Sequence, residues 1–203
     1  MKITALKAQV KNPERVSIFV DGKYSFSLSL DELVAQKLKG GQELSPADVK
    51  RLKKTSADGK LRARTLEWLL NRPHSTRELR DYLYRKKAEP ETIDSLVSEF
   101  TTRGYLNDTK YGRWLLELRQ RKGKSNRAIR AELFKKGLDR EVVEELVGDQ
   151  PSDELDRLKA LIAKKQSLPR YRRDPEKLKS YLVGQGFAWQ SVKEALSIDQ
   201  PDD

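Results

Sequence analysis

The side chains that most often perform catalysis or bind metals are nearly absent from this chain. It contains a single histidine, His74, and no cysteine. Because thiolates and imidazoles supply most zinc ligands, and imidazole is the most frequent general acid or base, this composition excludes disulfides, thiolate metal sites and the imidazole clusters of zinc enzymes. His74 follows Pro73 in a predicted turn between helices, with no partner nearby in the sequence. We interpret it as a surface histidine rather than a catalytic one.

Two other groupings resemble chemical sites only in part. Residues 123–125 (GKS) look like the end of a phosphate-binding loop, but that loop needs a glycine five residues before Gly123, after a strand. Leu118 stands there, within a helical pattern. Three glutamates between residues 141 and 145 could form paired carboxylates, yet their spacing is typical of a solvated helix face. We therefore predict no enzymatic activity, no metal site and no cofactor.

The charge of the chain indicates its partners more clearly. Lys and Arg number 42 against 31 Asp and Glu, which gives a formal net charge of +11 and a pI near 9.7. Such an excess favours a polyanion or an acidic protein surface as partner. The excess is concentrated, since residues 109–137 contain ten basic and two acidic side chains.

Basic residues in two segments are candidates for the contact surface. In the first segment they fall at near-helical spacing, opposite an apolar stripe that includes Tyr111 and Leu115, and in the second they surround Tyr171. The alternative interpretation is that both segments are ordinary solvated faces. The candidates are Lys110, Arg113, Arg121, Lys122, Lys124, Arg127, Arg130, Lys164, Lys165, Arg170, Arg172 and Arg173.

The elements that must position these residues begin with a small β-structure. Apolar residues alternate on both sides of Asp21-Gly22, which supplies the positive-φ positions of a tight hairpin turn. This pattern predicts two or three strands over residues 1–28. A helical stripe then runs from Ser29 to before Gly40, and a second short helix from Ser45 to about Lys54. Residues 55–59 (TSADG) are typical of a linker.

The rest of the chain is helical in period and repeats itself. With Ser75, Ser125 and Asp174 aligned as helix caps, apolar residues recur four, eight, eighteen and twenty-two residues later, in a register of 50 and then 49 residues. Gly137 and Gly186 occupy the turn of the second and third units, where the first unit has Lys87. Another amphipathic helix precedes each pair, so we predict three units of three helices.

These observations predict a mainly α fold with a small N-terminal β-hairpin. The predicted domains are residues 1–56 with the hairpin and two short helices, and three-helix repeats over 57–108, 109–150 and 151–203, the last with a short tail. Such tandem repeats form an elongated molecule that can be curved. No window approaches 18 uncharged apolar residues and the start has no apolar signal segment, so we expect a soluble, cytoplasmic protein that does not contact membranes. We also expect it to be a monomer.

Several short motifs of the repeats together resemble the RecX family of bacterial regulatory proteins. The motifs are residues 75–83 (STRELRDYL), 104–108 (GYLND), 122–124 (KGK) and 129–137 (IRAELFKKG). The resemblance extends from the hairpin to the last helix pair. Two positions depart from the family pattern, which commonly has two acids where Asn107-Asp108 stands and a Lys-Gly turn where Lys87-Ala88 stands.

The resemblance implies a non-enzymatic modulator of the RecA recombinase, built from tandem three-helix repeats. Such proteins bind RecA and lie in the groove of the RecA-DNA filament, where they inhibit ATP hydrolysis, filament extension and strand exchange. They thereby modulate recombination, DNA repair and the SOS response. The alternative is a general basic helical protein that binds single- or double-stranded DNA weakly and without sequence preference. In neither case does the sequence decide which repeat faces protein and which faces DNA.

Overall fold

A computed structural model describes residues 1–148 and 151–197 of the chain. By its internal contacts the chain divides into two compact units, residues 1–71 and residues 72–203. Within the described ranges, no helix combines the length and the apolar character needed to cross a lipid bilayer. The predicted repeat boundary at residue 150 and the tail from residue 198 lie outside the described residues.

The first unit begins with a three-stranded antiparallel sheet, which confirms the predicted small β-structure. The strands are β1 (Ile3–Gln9), β2 (Asn12–Val20) and β3 (Lys23–Ser29), in the spatial order β1-β2-β3. Asp21 and Gly22 adopt the expected positive φ values of 48° and 80°.

The alternation of β2 and β3 buries one face of the sheet, with one exception. Ile18 and Leu28 are fully buried, but Tyr24 is 54% exposed although it lies two residues from the buried Phe26. A register shift between Ile18 and Phe19 pairs Phe19 with Tyr24. Such a bulge breaks the two-residue period locally, and the side chain of Tyr24 reaches solvent.

Two helices complete the first unit, α1 (Leu30–Ala35) and α2 (Pro46–Leu70). The first is shorter than the predicted stripe and buries no residue, with Val34 74% exposed. The N-cap of the second is Ser45, whose side chain accepts a hydrogen bond from the amide of Asp48. The carboxylate of Asp48 accepts in return from the amide of Ser45, which completes a capping box, and Pro46 stands in the first turn.

The predicted linker at residues 55–59 is wrong, because α2 runs through it without a break. Ser56 is buried there, and its hydroxyl donates to the carbonyl of Ser27 at 2.6 Å. The carboxylate of Glu32 packs against Gly59 and occupies the space that a Cβ atom on this residue would need. Contacts with β3 and α1 therefore keep helical a segment whose composition favours a turn. The predicted domain boundary at residue 56 falls inside this helix.

The second unit consists of helices in the described residues, and their turns agree with the predicted repeat. The helices are α3 (Thr76–Arg85), α4 (Pro90–Thr102), α5 (Asp108–Arg121), α6 (Asn126–Lys135), α7 (Arg140–Val147), α8 (Pro151–Gln166), α9 (Pro169–Arg172), α10 (Pro175–Gly184) and α11 (Trp189–Ser197). Lys87 has a φ of 59°, Gly137 of 84° and Gly186 of 99°. The three positions thus share the left-handed conformation that commonly ends a helix, although only two are glycine.

The aligned caps also behave alike. The side chains of Ser75, Ser125 and Asp174 each accept a hydrogen bond from the amide three residues later. Behind them lie separate apolar clusters. One is built on Tyr111, Leu115, Ile129, Leu133, Leu138, Val143 and Val147, and another on Leu158, Ile162, Tyr171, Leu178, Leu182, Phe187, Val192 and Ala195.

Consecutive repeats are joined at equivalent points. The amide of Thr76, at the start of α3, donates to the carboxylate of Asp108 at 2.7 Å. The amide of Asn126, at the start of α6, donates to the carboxylate of Glu154 at 2.6 Å. Each acid comes from the first turn of the next repeat's leading helix. A carboxylate there satisfies an amide that has no partner within its own helix and interacts favourably with the helix dipole.

A largely buried carboxylate, Glu78, reinforces the first of these junctions. It contacts Arg72 at 2.9 Å and, across the junction, Lys136 at 2.7 Å. Burial by itself would raise the pKa of Glu78, but the hydrogen bonds from Lys136 and Arg72 outweigh it and lower the pKa from 4.5 to about 2. Burial and the nearby carboxylate raise the pKa of Tyr111, whose hydroxyl donates to Glu78 at 3.3 Å.

The same cluster corrects the interpretation of His74. Its side chain is 3% exposed, and Nδ1 lies 3.2 Å from Oε2 of Glu78. The predicted surface position is therefore wrong. The partner lies four residues along the sequence, on the first turn of α3, and only the packing of the junction shows that both side chains turn inward.

Replacing Lys87 by glycine should stabilise the protein. A non-glycine residue in the left-handed region costs about 1–2 kcal/mol, and the greater freedom of glycine in the unfolded chain offsets part of the gain. We expect Lys87→Gly to raise the free energy of unfolding by about 0.5–1 kcal/mol in urea titrations monitored by circular dichroism. The control, Lys86→Gly, should be destabilising because Lys86 has a φ of −82°. Equal effects of the two changes would contradict this account.

Glu78→Gln should destabilise the protein in a pH-dependent way. Because its pKa is lowered from 4.5 to about 2 on folding, the carboxylate of Glu78 contributes roughly 3 kcal/mol to the free energy of unfolding above pH 4.5. This contribution is lost as the pH falls from 4.5 towards the folded-state pKa. The difference in unfolding free energy between wild type and variant should therefore be large at pH 7 and shrink steadily below pH 4.5. Asp94→Asn removes an exposed ion pair with Arg80 and should cost less than about 1 kcal/mol. A difference that does not change with pH would show that Glu78 acts only by packing.

Candidate polyanion-binding interface

Some basic residues of the middle repeat are held in ion pairs within the fold, and others are exposed and could contact a partner. Arg119 is held within the fold, because its Nε and Nη2 donate to the carboxylate of Glu132 on α6 at 2.6 and 2.5 Å. This paired hydrogen bond lowers the pKa of Glu132 and raises that of Arg119. Arg121 and Lys122 are exposed. Arg121 lies 3.5 Å from the carboxylate of Glu117 on its own helix, and Lys122 makes no ion pair among the described residues.

The turn after α5 brings these exposed residues close to α8. Gly123 has a φ of 74°, and the amide of Lys124 donates back to the carbonyl of Arg119 at 3.0 Å. A Cβ atom on Gly123 would lie 2.9 Å from Cδ2 of Leu161. Glycine is therefore needed here twice, for the left-handed conformation and for the approach of α8.

Between this turn and α8 lies an open cleft of about 400 Å³ with strongly basic walls. Its lining contains five basic side chains and no acidic one: Gln120, Arg121, Lys122, Gly123, Arg157, Ala160, Leu161, Lys164, Lys165 and Tyr181. Cations near the C-terminal ends of α5 and α8 are favourable for the helices themselves. Because cations from both helices line the same cleft, they also create a positive potential there that attracts anions.

The cleft brings together the two segments that the sequence singled out separately. Arg121 and Lys122 come from the first segment, and Lys164 and Lys165 from the second. Nζ of Lys165 lies 4.7 Å from the ring centre of Tyr181, a cation-π contact that fixes the side chain at the wall.

Other candidates of the first segment lie elsewhere. Lys110 and Arg113 are exposed on the first half of α5 and do not line the cleft, and Lys124 is half-buried beside it. Arg127 donates from Nε to the carbonyl of Gly186 at 3.1 Å, at the junction with the next repeat. Arg130 donates to the carbonyl of Gly148 at 2.7 Å and lies 3.2 Å from the carboxylate of Glu144.

The rest of the second segment surrounds α9. The guanidinium of Arg170 lies 4.6 Å from the ring centre of Tyr171, which is 7% exposed. Arg172 and Arg173 are exposed around the end of this short helix, and neither lines the cleft. These three arginines therefore form a surface separate from the cleft.

Two lining residues, Arg157 and Tyr181, were missed by the sequence reasoning. Arg157 lies seven residues before Lys164 on α8, so the helical period placed both on one face and could have identified it. Nη2 of Arg157 donates to the side chain of Asn126 at 2.6 Å. Tyr181 comes from α10, and only the packing of α8 against α10 brings it to the cleft.

The arrangement of the cleft is suited to binding anions. The five cations of the lining, of which Arg121 also lies 3.5 Å from the carboxylate of Glu117, can hold phosphates or carboxylates by charge-assisted hydrogen bonds. Among the residues that the structure describes, no group of three or more His, Cys, Asp or Glu side chains is placed to hold a metal ion.

Three family models match most of the chain. The model for the regulatory protein RecX N-terminal domain matches residues 1–45, that for the first RecX three-helix domain matches residues 62–100, and that for the second matches residues 107–147. The first helical match covers the end of α2 with α3 and α4, and the second covers α5, α6 and α7.

Relatives and solved structures agree with these matches. Regulatory protein RecX of Listeria monocytogenes serovar 1/2a is 30% identical over 203 residues, covering 97% of this chain and 75% of that protein. RecX of Listeria innocua is 32% identical over 154 residues, where the alignment spans only 57% of that protein. A crystal structure of regulatory protein RecX superposes with a TM-score of 0.70 at 21% identity, covering 95% of this chain and 98% of that one. RecX from Lactobacillus salivarius gives 0.57 at 20% identity over 69% of this chain and 94% of that one.

The structural likeness confirms the mainly helical fold with its small N-terminal sheet, and the family models and relatives together establish ancestry. This chain belongs to the RecX family of regulatory proteins.

Proposed function

We propose that this chain binds the RecA recombinase and its filament on DNA, in the cytoplasm and as a monomer. In this role it inhibits RecA ATP hydrolysis, filament extension and strand exchange, and thereby modulates recombination, DNA repair and the SOS response. Support comes from membership of the RecX family, for which the resemblance noted above implies this activity. The proposal assigns the chain a role in binding, without catalysis of its own.

The observation that carries the proposal is the acid-free basic cleft beside α8. A filament of RecA on DNA presents both carboxylates and phosphates, and either group fits five converging cations. Binding there is electrostatic at long range, so it should be fast at low salt and weaken as salt increases.

The geometry also selects the residues with which to test the proposal. Arg127 and Arg130 are engaged within the fold, so reversing their charge would disturb structure as well as binding. Lys122 and Lys164 are exposed on opposite walls of the cleft, and neither makes an ion pair in the described structure. Their reversal should leave the fold intact.

Lys122→Glu/Lys164→Glu should weaken inhibition of RecA-dependent ATP hydrolysis on single-stranded DNA. We expect the inhibitory concentration to rise by roughly tenfold, equivalent to about 1.4 kcal/mol. The matched control is Lys110→Glu/Arg113→Glu, which makes the same change of charge on exposed positions outside the cleft. If the control weakens inhibition as much as the cleft variant, the cleft is not the contact surface. Unchanged inhibition by both variants would show that these basic residues are ordinary solvated side chains that do not contact RecA.

Capture of nuclease-treated RecA by the immobilised wild-type chain separates protein binding from DNA binding. The proposal predicts that RecA is retained without DNA and that the cleft variant retains less of it. Retention only when DNA is present would favour the alternative, a general nucleic-acid-binding protein. In that case the cleft variant should also reduce the salt dependence of single-strand binding, by a slope of about 0.7 for each lost phosphate contact.

A further inference from the structure

A second cationic cavity lies in the first compact unit, between the sheet and α2. It has a volume of about 410 Å³ and is lined by Gln9, Asn12, Arg15, Tyr24, Ser27, Lys60, Ala63, Arg64 and Glu67. None of these residues belongs to the basic segments that the sequence singled out. The cavity lies entirely within residues 1–71, so it is distinct from the cleft beside α8.

Three cations converge on this cavity. Arg15 is held in place from β2, because its Nη2 donates to the carbonyl of Ser27 at 2.8 Å. Its Nε is buried and has no hydrogen-bond partner among the described residues. Lys60 and Arg64 face the same cavity from α2, one helical turn apart.

The protein neutralises only part of the positive charge of the cavity. Neither Lys60 nor Arg64 makes an ion pair in the described structure, and one acid, Glu67, lines the cavity against three bases. Like charges one turn apart on a helix repel each other, and a bound anion would relieve this repulsion.

The remaining lining residues indicate what the anion is attached to. Tyr24 is the residue that the bulge in the sheet leaves 54% exposed, and its ring is steadied edge-on by Phe19 at 6.1 Å. Exposed aromatic rings beside cations are the usual platform for unpaired bases. Gln9 and Asn12 add amide groups, which can hydrogen-bond to base edges, and Gln9 is oriented by donating to the hydroxyl of Ser17 at 3.0 Å.

We propose that this cavity binds one nucleotide unit of a single-stranded nucleic acid. Lys60, Arg64 and Arg15 would hold its phosphate groups, and Tyr24 would stack on its base. A volume of about 410 Å³ is within the range of small-ligand pockets and cannot admit a duplex. An acidic peptide would use the cations but not the aromatic wall. The proposal concerns the chain without RecA and does not depend on the function proposed above.

The test is binding of fluorescein-labelled oligothymidylate to the full chain, measured by fluorescence anisotropy over a range of salt concentrations. Lys60→Gln/Arg64→Gln should lower affinity and also reduce the slope of log affinity against log salt, by about 0.7 to 1.4, because contacts to flanking phosphates are lost. Tyr24→Ala should lower affinity by about tenfold and leave the slope unchanged, because stacking does not release counterions. The two variants therefore have different signatures.

Lys53→Gln/Lys54→Gln is the matched control, since it makes the same change of charge on the same helix at exposed positions outside the cavity. If the control changes affinity and slope as much as Lys60→Gln/Arg64→Gln, the effect is one of net charge and the proposal is wrong. Competition with unlabelled compounds shows which kind of anion the cavity binds. Unlabelled oligothymidylate should displace the probe far better than thymidine monophosphate or inorganic phosphate. Displacement by oligoglutamate as effective as by the unlabelled strand would show an acidic-peptide site and overturn the proposal.

Discussion

The structure of the second unit depends on how the first amides of its helices find hydrogen-bond acceptors. A helix leaves its first four N–H groups without partners, and a capping side chain satisfies only part of them. Here the next repeat supplies the missing acceptor, Asp108 for the amide of Thr76 and Glu154 for that of Asn126. The same need occurs in the first and second repeats, and the same contact therefore joins each of them to the repeat that follows. In the third repeat the equivalent position is Pro175, which has no N–H, so this contact cannot be made there.

This junction also builds the basic cleft. Asn126 makes two hydrogen bonds here: its backbone amide donates to the carboxylate of Glu154, and its side-chain oxygen accepts from Arg157. Both partners are on α8, and they set that helix beside the turn at Gly123, where Leu161 occupies the space that a side chain would fill. Lys164 and Lys165, further along α8, are consequently carried to the cleft that Lys122 lines. Stacking of repeats and formation of a charged surface follow from the same contacts.

The sequence predicts the periodic features of this protein well, because they arise from local rules. Caps at Ser75 and Ser125, left-handed turns at Gly137 and Gly186, and the hairpin at Asp21-Gly22 each follow from the conformational preferences of a few residues. What the sequence could not show depends on contacts between distant segments. Ser56 and Gly59 stay helical because of Ser27 and Glu32, and His74 is buried because the junction around Glu78 closes over it. For the candidate site, net charge located the basic segments, but only packing separates Arg119 and Arg130, which are paired, from Lys122 and Lys164, which are available.

Hydrogen exchange of the first-turn amides tests this account most directly. Residues at the start of a helix usually exchange quickly, because their amides have no intrahelical acceptor. If Asp108 and Glu154 join the repeats as described, the amides of Thr76 and Asn126 should be protected, while those of Arg77 and Arg127, which follow them and have no described acceptor, should not. Glu154→Ala should abolish protection at Asn126 and leave that at Thr76 unchanged. Rapid exchange at both positions in the wild-type protein would contradict the account.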